Sequence, residues 1–225
     1  MSRTVGALLV LGVVLAGCGG SSNGTTPTGA ALQLPQCPVT RLSSKLIVGT
    51  CHSPDSAWSL RYRRGTANGR LFLARGQGKG VEMYHSSNDC CENITWAKPH
   101  LLLFVDYPLV ETLDPTTRTV TMLGQLNDAV VSLNGRWVAG SGAAGPGDPV
   151  ATTVYVLGVD AKNCLVVPGA SADAVGFTRD GTSVIVRRNV APENQAQLRQ
   201  FALSSLKADC PPRQVMTQRT TFIGN

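Results

Sequence analysis

The sequence predicts an all-β domain, and three observations carry that expectation. Short apolar runs such as Leu109-Val110-Glu111-Thr112-Leu113 and Val154-Tyr155-Val156-Leu157 are bounded by Gly, Asp or Asn, as strands closed by turns are. The chain holds 24 Gly and 13 Pro but only 15% charged residues, which favours a compact, turn-rich fold over a helical or disordered one. Turn and strand landmarks also recur at an interval of 46 residues: Asp114 with Asp160, Asn134-Gly135 with Asp180-Gly181, and Cys164 with Cys210. Stepping back 46 from Asp114 reaches Asn68, in Asn68-Gly69, which is read as a further turn.

The elements follow in chain order. Residues 5–15 are an apolar run of eleven residues followed by Ala16-Gly17-Cys18. A short apolar run ending in small residues marks a secretory signal, and it is too short for a bilayer needing about 20 residues. Leu15-Ala16-Gly17-Cys18 resembles the lipobox of bacterial lipoproteins. The resemblance implies that residues 1–17 are removed and that Cys18 becomes the lipidated first residue. It also implies a protein held on the extracytoplasmic face of a bacterial membrane. Residues 18–35 are expected to form a flexible tether, since 19–29 contain no large apolar residue to offset ordering entropy. Residues 36–225 then make one domain of ordinary size.

Six cysteines follow Cys18: Cys37, Cys51, Cys90, Cys91, Cys164 and Cys210. An even set in an exported chain reads as disulfides, with fifteen pairings open. Cys37 with Cys51 would close a short local loop. Cys90 and Cys91 are adjacent, so they are expected to point apart and take different partners, a vicinal bridge being the strained alternative.

Within the domain, each repeat reads as short strands. The first unit takes 57–63, 70–75 and 81–85; the second takes 101–106, 109–113, 119–123 and 129–133. The third takes 136–141, 152–159, 164–168 and 172–177; the fourth takes 182–188, 198–203, 214–217 and 220–223. Residues 45–49 are read as a closing strand that pairs with the last unit. Residues 192–207 also fit an amphipathic helix, but the 46-residue register assigns 198–203 to a strand.

About four strands per repeat of this length is the pattern of a propeller blade. Ser53-Pro54-Asp55-Ser56-Ala57-Trp58, Leu133-Asn134-Gly135-Arg136-Trp137 and Thr178-Arg179-Asp180-Gly181-Thr182 resemble degenerate copies of the TolB-like repeat. The resemblance implies a small β-propeller-like array of about four four-stranded blades. A β-sandwich or an incomplete propeller is the alternative.

Chemistry is sparse. His85, Cys90, Cys91 and His100, with Asp89 and Glu92 between, could in principle hold zinc or copper. They lack Cys-x-x-Cys or His-x-x-x-His spacing, and no metal or cofactor is assigned. His52-Ser53-Pro54-Asp55 contains the residue types of a hydrolytic triad, but triads are assembled in space, not in sequence. We read it as a turn and assign no catalytic residue. Gly76-Gln77-Gly78-Lys79-Gly80 lacks the spacing of a phosphate loop and reads as a hairpin.

The net charge is +6, and part of it is concentrated in Arg61, Arg63, Arg64, Arg70, Arg75 and Lys79. Two readings are open: a surface for an anionic partner, or a solvated strand edge that resists edge-to-edge pairing. The second is the expectation. No nucleic-acid recognition motif accompanies the charge. The functional expectation is a non-catalytic protein-binding or scaffolding module in the cell envelope. The alternative is an envelope enzyme or small-ligand receptor using the mouth of the array.

Overall fold

The computed structural model describes residues 29–43, 45–65, 68–87, 90–106, 109–142, 153–169, 172–190, 195–210 and 219–221. Cys18, the signal segment and most of the expected tether lie outside the described residues. The described residues form antiparallel strands and one short 3-10 turn, Leu203–Ser205. No helix among them is long and apolar enough to cross a membrane.

The first sheet contains β1 (Val39–Ser43), β2 (Leu46–His52), β3 (Trp58–Gly65), β4 (Asn68–Arg75) and β5 (Val81–Ser86), in that order. A second hydrogen-bonded run contains β6 (Glu92–Lys98), β7 (Leu101–Asp106), β8 (Leu109–Asp114), β9 (Thr119–Val131), β10 (Trp137–Gly142), β11 (Val154–Gly158) and β12 (Cys164–Val166). It is divided at β9, whose residues 119–125 pair with β8 and whose residues 126–131 pair with β10. Asp128, at φ +48°, lies in the second half, where the β10 register slips. The last sheet is β13 (Ala172–Phe177), β14 (Ser183–Val190) and β15 (Gln195–Ala202). A final strand, β16 (Arg219–Thr221), adds to the first half of β9. No sheet closes on itself.

Alternation in each strand sends one set of side chains to each face, and this stacks the sheets in chain order. Leu60, Leu71 and Met83 of the first sheet pack with Leu102, Phe104 and Leu113 of β7 and β8. The opposite face of β7 and β8, through Leu103, Val105 and Val110, packs with Val138, Tyr155 and Leu157 of β10 and β11. Ala139, Val154 and Val156 in turn meet Val184, Val186 and Phe201. The middle sheets are thus covered on both faces, while the first sheet has its outward face free of any other sheet.

Three hairpin turns, joining β2 to β3, β9 to β10 and β13 to β14, share one hydrogen-bonded design. The Ser53 hydroxyl donates to Asp55 Oδ1 at 2.6 Å and accepts from Trp58 N–H at 3.0 Å, while Asp55 Oδ1 accepts from Ala57 N–H at 3.1 Å. Ser132 and Asn134 repeat this toward Arg136 and Trp137, at 2.8, 3.1 and 3.0 Å. Thr178 and Asp180 repeat it toward Thr182 and Ser183, at 2.6, 3.1 and 3.1 Å. The fourth residue is left-handed each time, Ser56 at +58°, Gly135 at +63° and Gly181 at +69°. Gly therefore suits the last two turns, and Ser56 bears the cost that its absence brings. These turns touch one another: the Asn134 amide donates to Asp180 O at 3.2 Å, and a Cβ on Gly135 would run into Ala97 O. His100 lies 3.9 Å from Asp55. The degenerate repeats are one structural device used again and again.

Several expectations are corrected. The units are out of phase by one strand: 129–133 and 172–177 open the following sheets as the end of β9 and as β13, and β6 opens the second. Alternation marks a strand whichever sheet it joins, so periodicity does not reveal the phase. Of residues 45–49, Leu46 to Gly49 lie in β2, which pairs with β1 and β3 in the first sheet and not with the last one. Asn68 and Gly69 begin β4 rather than forming a turn. Residues 198–203 are strand as far as Ala202, as the register expects and against the helix. The strand expected at 220–223 is β16, which joins β9 and not the last sheet; 214–217 lie outside the described residues.

The part of the expected tether nearest the domain is docked. Leu32 exchanges backbone hydrogen bonds with Phe177 at 2.8 and 2.9 Å, and Leu34 N–H donates to Val131 O at 2.9 Å. Thr95 Oγ1 donates to Pro35 O at 2.7 Å. Leu32 and Leu34 are apolar, which gives this segment side chains to bury as it docks.

Three disulfides pair the six cysteines. Cys37–Cys51 closes the local loop, as expected. Cys90 and Cys91 bond to each other across a cis peptide, correcting the expectation that they point apart. Both are buried, and the backbone of Cys90 lies so close to Gly69 that no Cβ fits there. Cys164–Cys210 joins the outer strand β12 to the segment after β15. Their interval of 46 is therefore a contact and not a repeat, because repeat-equivalent residues occupy different sheets.

Candidate functional site

Two features stand out from the scaffold: a basic face on the first sheet and a buried cluster of acids beneath it. The basic face arises from alternation. Leu60 and Tyr62 of β3 and Leu71 and Leu73 of β4 point to the core, so Arg61, Arg63 and Arg70 point outward. Arg63 stands directly opposite Arg70, Arg61 opposite Phe72, and Arg70 opposite His85. An open groove of about 510 Å³ runs between Lys45, Arg63, Asn68, Arg70 and Phe72. Arg61 reaches over the Gly80 backbone, where a Cβ would stand 3.2 Å from its Nη2.

The edge-protection reading does not hold for these arginines. β3 and β4 are each paired on both sides, and the edges of the sheet are β1 and β5. Arg63 and Arg70 in fact work against the sheet, because like charges directly opposite on neighbouring strands are destabilising. Glu82 offsets part of this, 3.1 Å from Arg70. Arg64 belongs elsewhere: it turns inward and pairs with Glu92 of β6 at 2.7 Å.

Beneath this sheet, Tyr84 of β5 reaches across to β7 and β8. Its hydroxyl lies 2.7 Å from Asp106 Oδ2 and 2.6 Å from Glu111 Oε2. The ring also meets Phe104 edge-on, centroids 4.7 Å apart. Tyr84, Asp106 and Glu111 are 5–6% exposed. One phenol hydrogen cannot serve two ionised carboxylates. With Glu111 protonated, it can donate to the phenol oxygen while the phenol donates to Asp106; with Glu111 ionised, the one phenol hydrogen serves one carboxylate at a time. Burial raises the Glu111 pKa from 4.5 to about 7, with the Asp106 charge adding to it and the Tyr84 hydrogen bond opposing. Burial and the same two carboxyls raise the Tyr84 pKa, so the phenol stays neutral. Asp106 Oδ1 is buried without a hydrogen-bond partner among the described residues.

Sequence reasoning missed this cluster. The signal was a charged residue inside Leu109-Val110-Glu111-Thr112-Leu113 and another closing Leu101–Asp106, but their partner Tyr84 comes from a different sheet.

The other candidates separate in space. His85 is exposed, 3.2 Å from the Asn68 side chain, and His100 is exposed in the turn beside Asp55. Cys90 and Cys91 are bonded to each other, which leaves no thiolate for a metal, and Asp89 lies outside the described residues. Among the described residues no three His, Cys, Asp or Glu side chains converge. His52 is exposed at the end of β2, while the Ser53 hydroxyl is taken by Asp55 and Trp58 in the turn. Hydrogen bonds from Ser53 and from the Ala57 backbone hold the Asp55 pKa below its usual value.

No protein-family model matches the chain, and no curated protein has detectable sequence similarity to it.

Proposed function

We propose that this chain is a lipid-anchored bacterial envelope protein whose propeller-like stack of sheets is a non-catalytic protein-binding or scaffolding module. The observation that carries the binding role is β1. All five of its residues are exposed, with Val39 at 65% and Leu42 at 60% exposure, and its outer edge has no strand partner among the described residues. An edge strand with apolar side chains is a template for strand addition by another chain, and soluble proteins commonly blunt such edges. The Cys37–Cys51 bridge ties the approach to β1 onto β2, which holds the edge ready before a partner arrives. Face-to-face stacking of the sheets in chain order, with one turn design repeated, is what supports the propeller-like reading. The lipid anchor rests on the lipobox resemblance at Cys18.

The test has two arms. Intact mass of the mature protein should show acyl chains on a chain beginning at Cys18, and Cys18→Ser should abolish them; an unmodified Cys18 refutes the anchor. Crosslinking in membranes should trap a defined partner with the wild type and lose it with Val39→Lys and Leu42→Lys. Retention of the same crosslink by the folded double variant refutes β1 as the binding edge.

A further inference from the structure

We propose that the outward face of the first sheet docks on anionic phospholipid headgroups of the membrane that carries the Cys18 anchor, an inference that rests on the lipoprotein reading above. The face carries Lys45, Arg61, Arg63 and Arg70, all exposed, with Glu82 paired to Arg70. It is a face and not an edge: β3 and β4 contribute the three arginines and are hydrogen-bonded on both sides. Fold stability does not account for the arrangement, because Arg63 and Arg70 are set directly opposite each other at a cost to pairing.

The spaces between the cations are part polar and part apolar, with Thr50 opposite Arg61, His85 opposite Arg70 and Asn68 lining the groove. Opposite positions on neighbouring strands share a face, so Val48 lies beside Arg63 and Phe72 beside Arg61, with Leu46 lining the same groove. These three are partly buried rather than covered. A grooved surface that sets guanidinium groups beside aliphatic and aromatic side chains suits the headgroup boundary of a bilayer, where phosphates meet acyl chains. The other sheets stack on the opposite side, so no other sheet among the described residues covers it.

The leash is long enough. Eleven residues separate Cys18 from Gly29, a reach of about 38 Å when extended. Gly29 to Val39, where the first sheet begins, is ten residues and spans at most about 35 Å. The acyl chains retain the protein, and the basic face orients it. A basic residue near an anionic leaflet contributes about fivefold to partitioning, so removing the three arginines should weaken binding about a hundredfold.

The experiment uses the mature chain from residue 18 with Cys18→Ser, so that no acyl chain contributes. It is sedimented with phosphatidylcholine vesicles with and without phosphatidylglycerol. Binding only to the phosphatidylglycerol vesicles, falling with salt, supports the proposal. So does a loss of about a hundredfold in Arg61→Gln/Arg63→Gln/Arg70→Gln, provided the matched variant Arg136→Gln/Lys162→Gln/Arg179→Gln keeps most of its binding. The charge-preserving Arg61→Lys/Arg63→Lys/Arg70→Lys variant should also bind, which guards against a loss caused by misfolding. Equal partition onto neutral vesicles, no binding to either, or an equal loss in the two glutamine variants overturns it. Binding to soluble polyphosphate without binding to vesicles overturns it as well and assigns the face to a phosphate polymer. Because this readout does not use the acyl chain, its failure is distinct from failure of lipidation, which intact mass reads separately.

Discussion

Glu111→Gln tests the proton that the buried cluster requires. The substitution keeps the shape of the side chain and removes its ability to ionise. In the folded protein the Glu111 pKa is raised from 4.5 to about 7, chiefly by burial. The folded state therefore holds a proton that the unfolded chain gives up at lower pH. By linkage, this contribution to stability is fully present below about pH 4.5 and is lost as pH rises through about 7. The displacement corresponds to about 3 kcal/mol. Asp55 and Asp180 act in the opposite sense and in a different window, since hydrogen bonds lower both pKa values below 3.8. Their contribution is present above that value and is lost as pH falls further, so it does not mask Glu111. Urea unfolding at pH 5 and pH 8 supplies the assay. The wild type should lose about 3 kcal/mol more than Glu111→Gln between the two pH values, and the variant should be the more stable protein at pH 8. Parallel pH profiles for the two proteins would refute the protonated bridge.

Four further outcomes follow from the same packing. Tyr84→Phe removes the hydroxyl shared by Asp106 and Glu111 and should cost about 2–3 kcal/mol at pH 5, read from the urea midpoint; a change below about 0.5 kcal/mol would be too small for an orphaned buried carboxyl. Gly135→Ala introduces a Cβ at φ +63° that meets Ala97 O, and it should cost about 2 kcal/mol or more, whereas an unchanged thermal midpoint contradicts the turn contact. Cys164→Ser opens a bridge with a sequence separation of 46, worth about 4 kcal/mol by loop entropy. Peptide mapping without reduction should find Cys90 and Cys91 bonded within a single peptide, and a link from either to another cysteine would refute the pairing.

The strands were legible because they obey period two. Leu101–Asp106 and Ala172–Phe177 appear in the structure with the bounds that alternation assigns. The grouping of strands was not legible, because residues 119–123 and 129–133 read as two strands although one backbone, β9, runs through both and changes partner midway. β6 escaped notice for a related reason. Its sequence, Glu92-Asn93-Ile94-Thr95-Trp96-Ala97-Lys98, carries Asn93 at φ +49°, and its pairing with β7 slips twice, so the alternation is broken. The arginines were visible as a cluster. Their position on central strands was hidden until Leu46 to Gly49 were placed in β2, because with that strand removed β3 would have been an edge.

The basic face and the acid cluster lie on opposite sides of one sheet, and adjacent residues of β5 show the division: His85 is exposed and Tyr84 is buried. It is tempting to pair the two, with the arginines compensating the buried carboxyls. The direction of the Glu111 shift argues against this. A guanidinium close enough to compensate would lower the pKa, yet it is raised, and the influences on it are burial, Tyr84 and Asp106. The sheet keeps the cations in water on one side and the acids dry on the other, and a proton rather than an arginine neutralises Glu111. The two features should therefore respond separately. Arg61→Gln/Arg63→Gln/Arg70→Gln should abolish vesicle binding and leave the pH profile of unfolding intact, and Glu111→Gln should flatten that profile while still binding vesicles. A glutamine triple variant whose pH profile moved with its vesicle binding would show that charge does cross the sheet, and the protonated bridge would then need an arginine in its account.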